Sequence, residues 1–170
     1  EYGFSAYMLG VNVEKAKSLI QRLAIHLEQV KSELPEERYC AYLASVYTYQ
    51  LALDKSQLMK YAKGIYSNIE RAMELNPNDP FVLSMQGNVE FYSPFGSKKI
   101  ALAYFQKADS LYEVAGADYE RWNRRAVQMT YIHCLNKQRK KDEAKALCAK
   151  LLAEEPNNVN FQQLLEELHA

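Results

Sequence analysis

The seven residues ELNPNDP, at positions 74–80, lie between two long helical patterns and decide how the fold is interpreted. A related turn, AEEPNN, occurs at positions 153–158. Proline cannot continue a helix interior, and Asn and Asp favour turns and helix starts. Each stretch therefore predicts a boundary where one pair of helices ends and the next begins.

Apolar residues recur every third or fourth position along almost the whole chain, which is the period of a helix. Segments 39–53, 81–92 and 122–135 are apolar around most of their circumference, so we expect them to be packed on two sides. Asn12, Asp79 and Asp118 are candidate N-caps. The pattern predicts an all-α chain with helices at 2–10, 12–32, 36–53, 55–75, 79–92, 97–114, 118–136, 140–153 and 158–169.

One spacing of residues repeats at the ends of the helices that are apolar on one side. A small or aliphatic residue is followed, four, seven and twelve positions later, by a larger one, another small or aliphatic one, and usually proline. Small residues let paired helices approach closely, which predicts a series of similar hairpins. The matching sets are Ile65-Ile69-Ala72-Pro77, Ala144-Cys148-Leu151-Pro156, Leu23-Leu27-Val30-Pro35 and, without the proline, Ala101-Phe105-Ala108.

The stretches IERAMELNPNDP, ALAYFQKADSLYE and DEAKALCAKLLAEEPNN resemble the second helix and closing turn of the tetratricopeptide repeat (TPR). The resemblance covers about 36–170 and, more loosely, 1–35. It implies a right-handed superhelix of stacked antiparallel helix pairs, because such pairs cannot bury their faces alone. We expect one domain with hairpins at about 1–35, 36–78, 79–116 and 118–156, and a capping helix at 157–170.

The repeat is longer than the family's usual period of about 34 residues, since Pro35 and Pro77 are 42 positions apart. The segments EYGFSAYMLG and FYSPFGSKKIALAYFQKA are similar to secreted bacterial TPR-like proteins of unassigned function. This resemblance implies a secreted or periplasmic location rather than a cytoplasmic one. The chain begins with Glu1 rather than Met, which indicates a processed or trimmed form and does not bear on the location.

Composition argues against two classes of binding protein. Twenty-one basic and 21 acidic residues give no net charge, whereas nucleic-acid binders carry a basic excess. No apolar run reaches the about 20 residues that span a bilayer. The basic cluster 121–125 could pair with an acidic partner or with nucleic acid, whereas 137–141 is interpreted as a solvated turn between helices, where cations suit the helix dipole. The zero net charge favours solvated surface charge for both. We expect neither nucleic-acid binding nor membrane insertion.

The sequence offers no recognisable catalytic arrangement. His26, His133 and His169 do not occur in a metal-binding spacing, and no phosphate-binding loop or nucleophile elbow is present. The three cysteines, Cys40, Cys134 and Cys148, form no CxxC pair and are expected to be buried and free. We predict a protein that is not an enzyme and that uses no metal and no cofactor.

In stacked hairpins the first helix of each pair lines the concave side. Aromatic side chains supply contact area there, and amides pair with a peptide backbone; alternatively, the tyrosines are core residues with their hydroxyls at the edge. Counting from Ala44 and Gly87 as small packing residues gives the candidate partner-binding set Arg38, Ser45, Tyr49, Asn88, Phe91, Tyr92, Asn123 and Tyr131.

The function expected from these features is a scaffold or adaptor that binds a peptide or protein in a concave groove. Two alternatives remain open at this point. One is a structural module that associates with itself, and the other is a small-ligand or glycan-binding protein that uses the aromatic groove.

Overall fold

A computed structural model describes residues 2–170 of the chain, and Glu1, the first residue of the predicted hairpin 1–35, lies outside them. The described part is all-helical and contains no β-strand. A short 3₁₀ helix, Lys55–Gln57, precedes the fourth α-helix. The α-helices are α1 (Tyr2–Leu9), α2 (Val13–Gln29), α3 (Glu36–Leu53), α4 (Leu58–Leu75), α5 (Pro80–Tyr92), α6 (Lys98–Ala115), α7 (Arg121–Lys137), α8 (Lys141–Glu154) and α9 (Val159–His169).

The helix starts follow from local chemistry. The side chain of Asn12 accepts the N–H of Lys15 at the start of α2, and Asp79 accepts two N–H groups at the start of α5. Pro80 occupies the first position of α5, where a missing N–H costs little. The prediction that Asp118 caps α7 is wrong, because α7 begins only at Arg121, after Glu120 in the left-handed region with φ 43°.

Neighbouring helices pack against one another along the whole chain. Consecutive helices are in contact from α1–α2 through α8–α9, and α3, α5, α7 and α9 also contact one another in that order. The predicted two-sided packing of 39–53, 81–92 and 122–135 is confirmed, since α3, α5 and α7 each contact helices on both sides.

The repeated spacing marks the core. Every residue at its first three positions is buried except Val30, which is half-buried. Small residues permit the close contacts: a Cβ on Gly87 of α5 would lie 2.7 Å from the Phe105 ring of α6. The three cysteines are free and buried, as predicted, and burial raises the pKa of Cys134 and Cys148 to about 11.

The first helix departs from simple pairing. α1 contacts α2, as expected for the first hairpin, but it also lies against α7, which is more than 110 residues away in sequence. Its rings and backbone reach α3, α5 and α9 as well. We call the surface of α3, α5, α7 and α9 on which α1 lies, together with the open part of that surface beside α1, the α1 face.

Candidate functional site

Aromatic rings hold α1 on the α1 face. Tyr2 packs edge-on against Phe81 of α5, with ring centroids 5.1 Å apart, and lies 6.0 Å from the ring of Tyr49 of α3. At the next turn, Phe4 and Tyr7 lie 5.0 and 5.3 Å from the ring of Trp122 of α7. Aromatic pairs at these separations stabilise the contact beyond the area they bury.

Two asparagines bind the backbone of α1. The N–H of Gly3 donates to Oδ1 of Asn123 at 3.1 Å, and Nδ2 of Asn160 donates to the carbonyl of Tyr7 at 3.0 Å. Both backbone groups belong to the end turns of a helix, where intrahelical partners are missing. The α1 face therefore recognises a helical segment by the amide-to-backbone contacts that suit a polypeptide.

Gly3 permits this close approach. A Cβ at this position would lie 2.1 Å from the carbonyl carbon of Trp122, and backbone at that distance cannot move aside without shifting α7. The sequence therefore needs glycine where α1 crosses α7.

We expect Gly3→Ala to detach α1 and to lower the free energy of unfolding by about 2–3 kcal/mol, because Tyr2 would lose its buried site. The Trp122 emission should shift to longer wavelength as the Phe4 and Tyr7 rings leave it. Gly64→Ala in α4 is the control, because its new Cβ meets only the side chain of Tyr47. An unshifted Trp122 spectrum in Gly3→Ala would show that α1 is not seated as described.

A buried ion network lies beneath one end of the α1 face. Nε of Arg38 donates to Asp79 at 2.6 Å, Nη1 donates to Glu120 at 2.5 Å and Nη2 donates to the Tyr119 hydroxyl at 3.2 Å. Burial alone would lower the pKa of Arg38, but Glu120 and Asp79 outweigh it and hold that pKa above its usual value. Glu120 also accepts from the Tyr112 hydroxyl. Arg38 thus joins the start of α3 to the starts of α5 and α7.

The arginines of 121–125 are likewise paired within the chain. Arg121 and Arg125 both donate to Glu155, and Arg124 donates to Asp109. All three guanidinium groups therefore have carboxylate partners within the chain.

An apolar cleft of about 790 Å³ opens beside α1 on the α1 face; we call it the first cleft. It lies within the range of about 300–1,000 Å³ typical of ligand sites. Tyr2 and Ala6 of α1 form one wall. The opposing residues from the carboxyl-terminal halves of α3, α5 and α7 and from α9 include Ser45, Thr48, Tyr49, Met85, Asn88, Tyr92, Met129, Thr130, His133 and Leu164.

Several polar side chains line the first cleft, and they include the charged Lys55 and Glu167. The hydroxyls of Ser45, Thr48 and Thr130 each donate to a carbonyl of their own helix. Burial lowers the pKa of His133, which favours its neutral form. Among the buried side chains of residues 2–170, only Asn88 has an oxygen or nitrogen without a hydrogen-bond partner, its Oδ1.

Tyrosines form the inner part of the first cleft. Burial raises the pKa of Tyr49 to about 12, with the Ser5 side chain partly offsetting this, and it raises the pKa of Tyr2 well above its usual value. Burial also raises the pKa of the Tyr92 hydroxyl, which interacts with Thr130, but 64% of the residue as a whole is exposed. Tyr49 therefore supports α1, whereas Tyr92 is open to an incoming molecule.

A second cleft of about 550 Å³ lies on the other side of Tyr92, between α3, α4, α5 and the connection 93–97. Its walls come from Leu51 of α3, from Leu58, Met59, Ala62 and Tyr66 of α4, and from Val89 and Phe95. Thr48, Leu51, Leu58, Met85, Asn88 and Tyr92 line both clefts.

The structure separates the predicted partner-binding residues into three groups. Ser45, Tyr49, Asn88 and Tyr92 come together in the first cleft. Asn123 binds the backbone of α1 and also donates to the Tyr42 hydroxyl. Arg38, Phe91 and Tyr131 do not line the cleft: Arg38 is in the ion network, and the two aromatic residues pack against the core.

Sequence reasoning missed the part of the site that α1, Asn160 and His133 contribute. One signal for α1 was present, because YGFSAYML has apolar residues on every side, and a helix of that kind is buried all round. Asn160 and His133 carry no local signal, since their position depends on how distant helices meet.

Within residues 2–170, no group of His, Cys, Asp and Glu side chains is arranged to hold a metal ion. No described helix is both long and apolar enough to traverse a lipid bilayer. Comparison with protein-family models, with curated proteins and with solved structures finds no significant match.

Proposed function

We propose that this chain is a TPR-like interaction module that binds a polypeptide segment of a partner protein on the α1 face. In this proposal the hairpins stack as a right-handed superhelix, and α3, α5, α7 and α9 line its concave side. The proposal includes no catalytic step and no cofactor. The observation that carries it is α1 itself, a polypeptide segment already seated on this face.

The way α1 is held supports a polypeptide as the ligand class. Asn123 and Asn160 contact its backbone rather than its side chains, and the rings of Phe81 and Trp122 cover its aromatic residues. Backbone amides are common to every polypeptide segment, and aromatic side chains are frequent anchors at protein interfaces. Such a surface is suited to bind a polypeptide segment of a partner protein beside α1.

The part of the α1 face that α1 leaves uncovered determines where the partner segment binds. α1 covers the region near Phe81 and Trp122, so the open region is the first cleft, beyond Ala6. Tyr92 provides an exposed ring at the junction of the two clefts. The hydroxyls of Ser45, Thr48 and Thr130 keep acceptor lone pairs for backbone N–H groups. We infer a largely apolar segment, anchored by one or two side chains.

A peptide library displayed on phage and selected against the whole chain tests this proposal. We expect the selected peptides to bind Tyr92→Ala at least about 10-fold more weakly, because exposed aromatic residues at the centre of an interface dominate affinity. Circular dichroism should show unchanged folding, since Tyr92 is mostly exposed.

Ile25→Ala is the matched control, because it removes an exposed apolar side chain from α2, outside the α1 face. The proposal fails if no peptide is selected, or if the peptides bind Tyr92→Ala and the unchanged chain equally. Light scattering over a range of concentrations tests self-association at the same time. Dimers that disappear in Tyr92→Ala would identify a second copy of the chain as the occupant.

A further inference from the structure

We propose that the second cleft is a separate site for a single-chain amphiphile, a molecule with an unbranched apolar chain next to an uncharged hydrogen-bond donor such as a hydroxyl or amide N–H. This site goes beyond the binding of a polypeptide in the first cleft. It rests on the walls that α4 and residues 93–95 add to the residues shared by the two clefts, and on one unsatisfied polar atom.

The walls of the second cleft favour an apolar, uncharged occupant. Its lining comes from α3, the first three turns of α4, the end of α5 and residues 93–95, and none of these lining residues is charged. A charged group of a ligand would lose its hydration in this cleft, and no charged side chain there would compensate for that loss. Ile65 and Ile69 form its inner wall, so an apolar chain would exchange water for aliphatic contacts.

Asn88 defines the polar requirement. Its Oδ1 is buried and accepts no hydrogen bond within the described chain, while its Nδ2 contacts the sulfur of Met85 at 4.0 Å and its side chain also interacts with the Tyr2 hydroxyl. A buried acceptor without a hydrogen-bond partner destabilises the folded chain, and a ligand that donates a hydrogen bond to it removes that cost. Other polar groups nearby are satisfied: Thr48 donates to the Ala44 carbonyl, and the Tyr66 and Ser93 hydroxyls bind each other at 2.7 Å. Asn88 is therefore the acceptor that a ligand would use.

The shape of the cavities favours a chain over a compact molecule. Asn88 lies where the two clefts meet, with Thr48 and Tyr92 beside it. A donor group at Asn88 can therefore have its apolar chain in the second cleft while anything beyond the donor continues into the first. At the outer rim, Met59 and Phe95 are 83% and 96% exposed, which leaves apolar surface for the chain to cover.

The test compares two isomers, n-nonanol and methyl octyl ether, by calorimetric titration of the whole chain. They have the same atoms and nearly the same length, but only the alcohol donates a hydrogen bond. Asn88→Leu removes the acceptor and keeps the side-chain size. We expect the preference for the alcohol over the ether to fall about 3- to 10-fold in Asn88→Leu, which is the effect of one hydrogen bond. The ratio of alcohol affinity to ether affinity is compared between the unchanged chain and Asn88→Leu. This comparison cancels the difference in hydration between the two probes.

A second pair of variants locates the site. Ala62→Phe places a ring in the second cleft and should abolish n-nonanol binding, whereas Ala103→Phe adds the same ring on the exposed side of α6 and should not. Thermal melting followed by circular dichroism confirms that each variant is folded.

Three results would overturn the inference: no binding of n-nonanol to the unchanged chain, binding that survives Ala62→Phe, or the same alcohol preference with and without Asn88. Peptides selected on the first cleft should still bind Ala62→Phe, so failure of the amphiphile site is distinguishable from failure of the polypeptide site.

Discussion

Arg38→Leu is expected to lower the free energy of unfolding by about 2–4 kcal/mol, because it leaves the partly buried carboxylates of Asp79 and Glu120 without their cation. Arg38 is 9% exposed and joins Asp79 to Glu120. The loss also affects the backbone, since Asp79 caps α5 and Glu120 has a positive φ immediately before α7. For a chain of this length the melting temperature should fall by about 10 °C.

Arg71→Leu is the matched control, because the pair Arg71–Glu36 is exposed and should contribute less than about 1 kcal/mol. Adding Glu120→Gln to Arg38→Leu should restore part of the loss by removing one unpaired charge. Equal melting temperatures for Arg38→Leu and Arg71→Leu would contradict the structural role assigned to Arg38.

Ala72→Arg is expected to abolish folding. Ala72 is fully buried in a hydrophobic cluster to which α1, α2, α3, α4, α5 and α7 contribute. An arginine there is both oversized and unpaired, which costs at least about 4 kcal/mol. A domain is stable by only about 5–15 kcal/mol, so most of the protein should be unfolded or insoluble at 37 °C.

Ala103→Arg on the exposed side of α6 provides the control for Ala72→Arg and should melt within about 2 °C of the unchanged chain. Circular dichroism at 222 nm and the soluble yield measure both variants. A cooperative melt of Ala72→Arg at the normal temperature would show that the repeated spacing does not mark the close helix contacts.

Part of the candidate site could be predicted from the sequence, because its residues recur with the period of a helix. Ser45 and Tyr49 are four positions apart on α3, and Asn88 and Tyr92 are four apart on α5, so each pair lies on one side of its helix. Counting helical positions in the sequence also selected Arg38, Phe91 and Tyr131. The structure places Arg38 in the ion network and the two aromatic residues against the core. Periodicity assigns a residue to a side of its helix, but it does not show which neighbour covers that side.

The sequence by itself determined the all-helical chain, the extent of most helices, the caps at Asn12 and Asp79 and the buried small residues. These depend on residues within a few positions of one another, where capping and helical periodicity act. Only the tertiary structure decided that α1 lies across α7, that Arg38 joins three helix starts, and that Asn88 faces two clefts. Such contacts join residues that are far apart in sequence, 41 positions for Arg38–Asp79 and 153 for Tyr7–Asn160. They depend on how whole helices fit together, which no local pattern encodes.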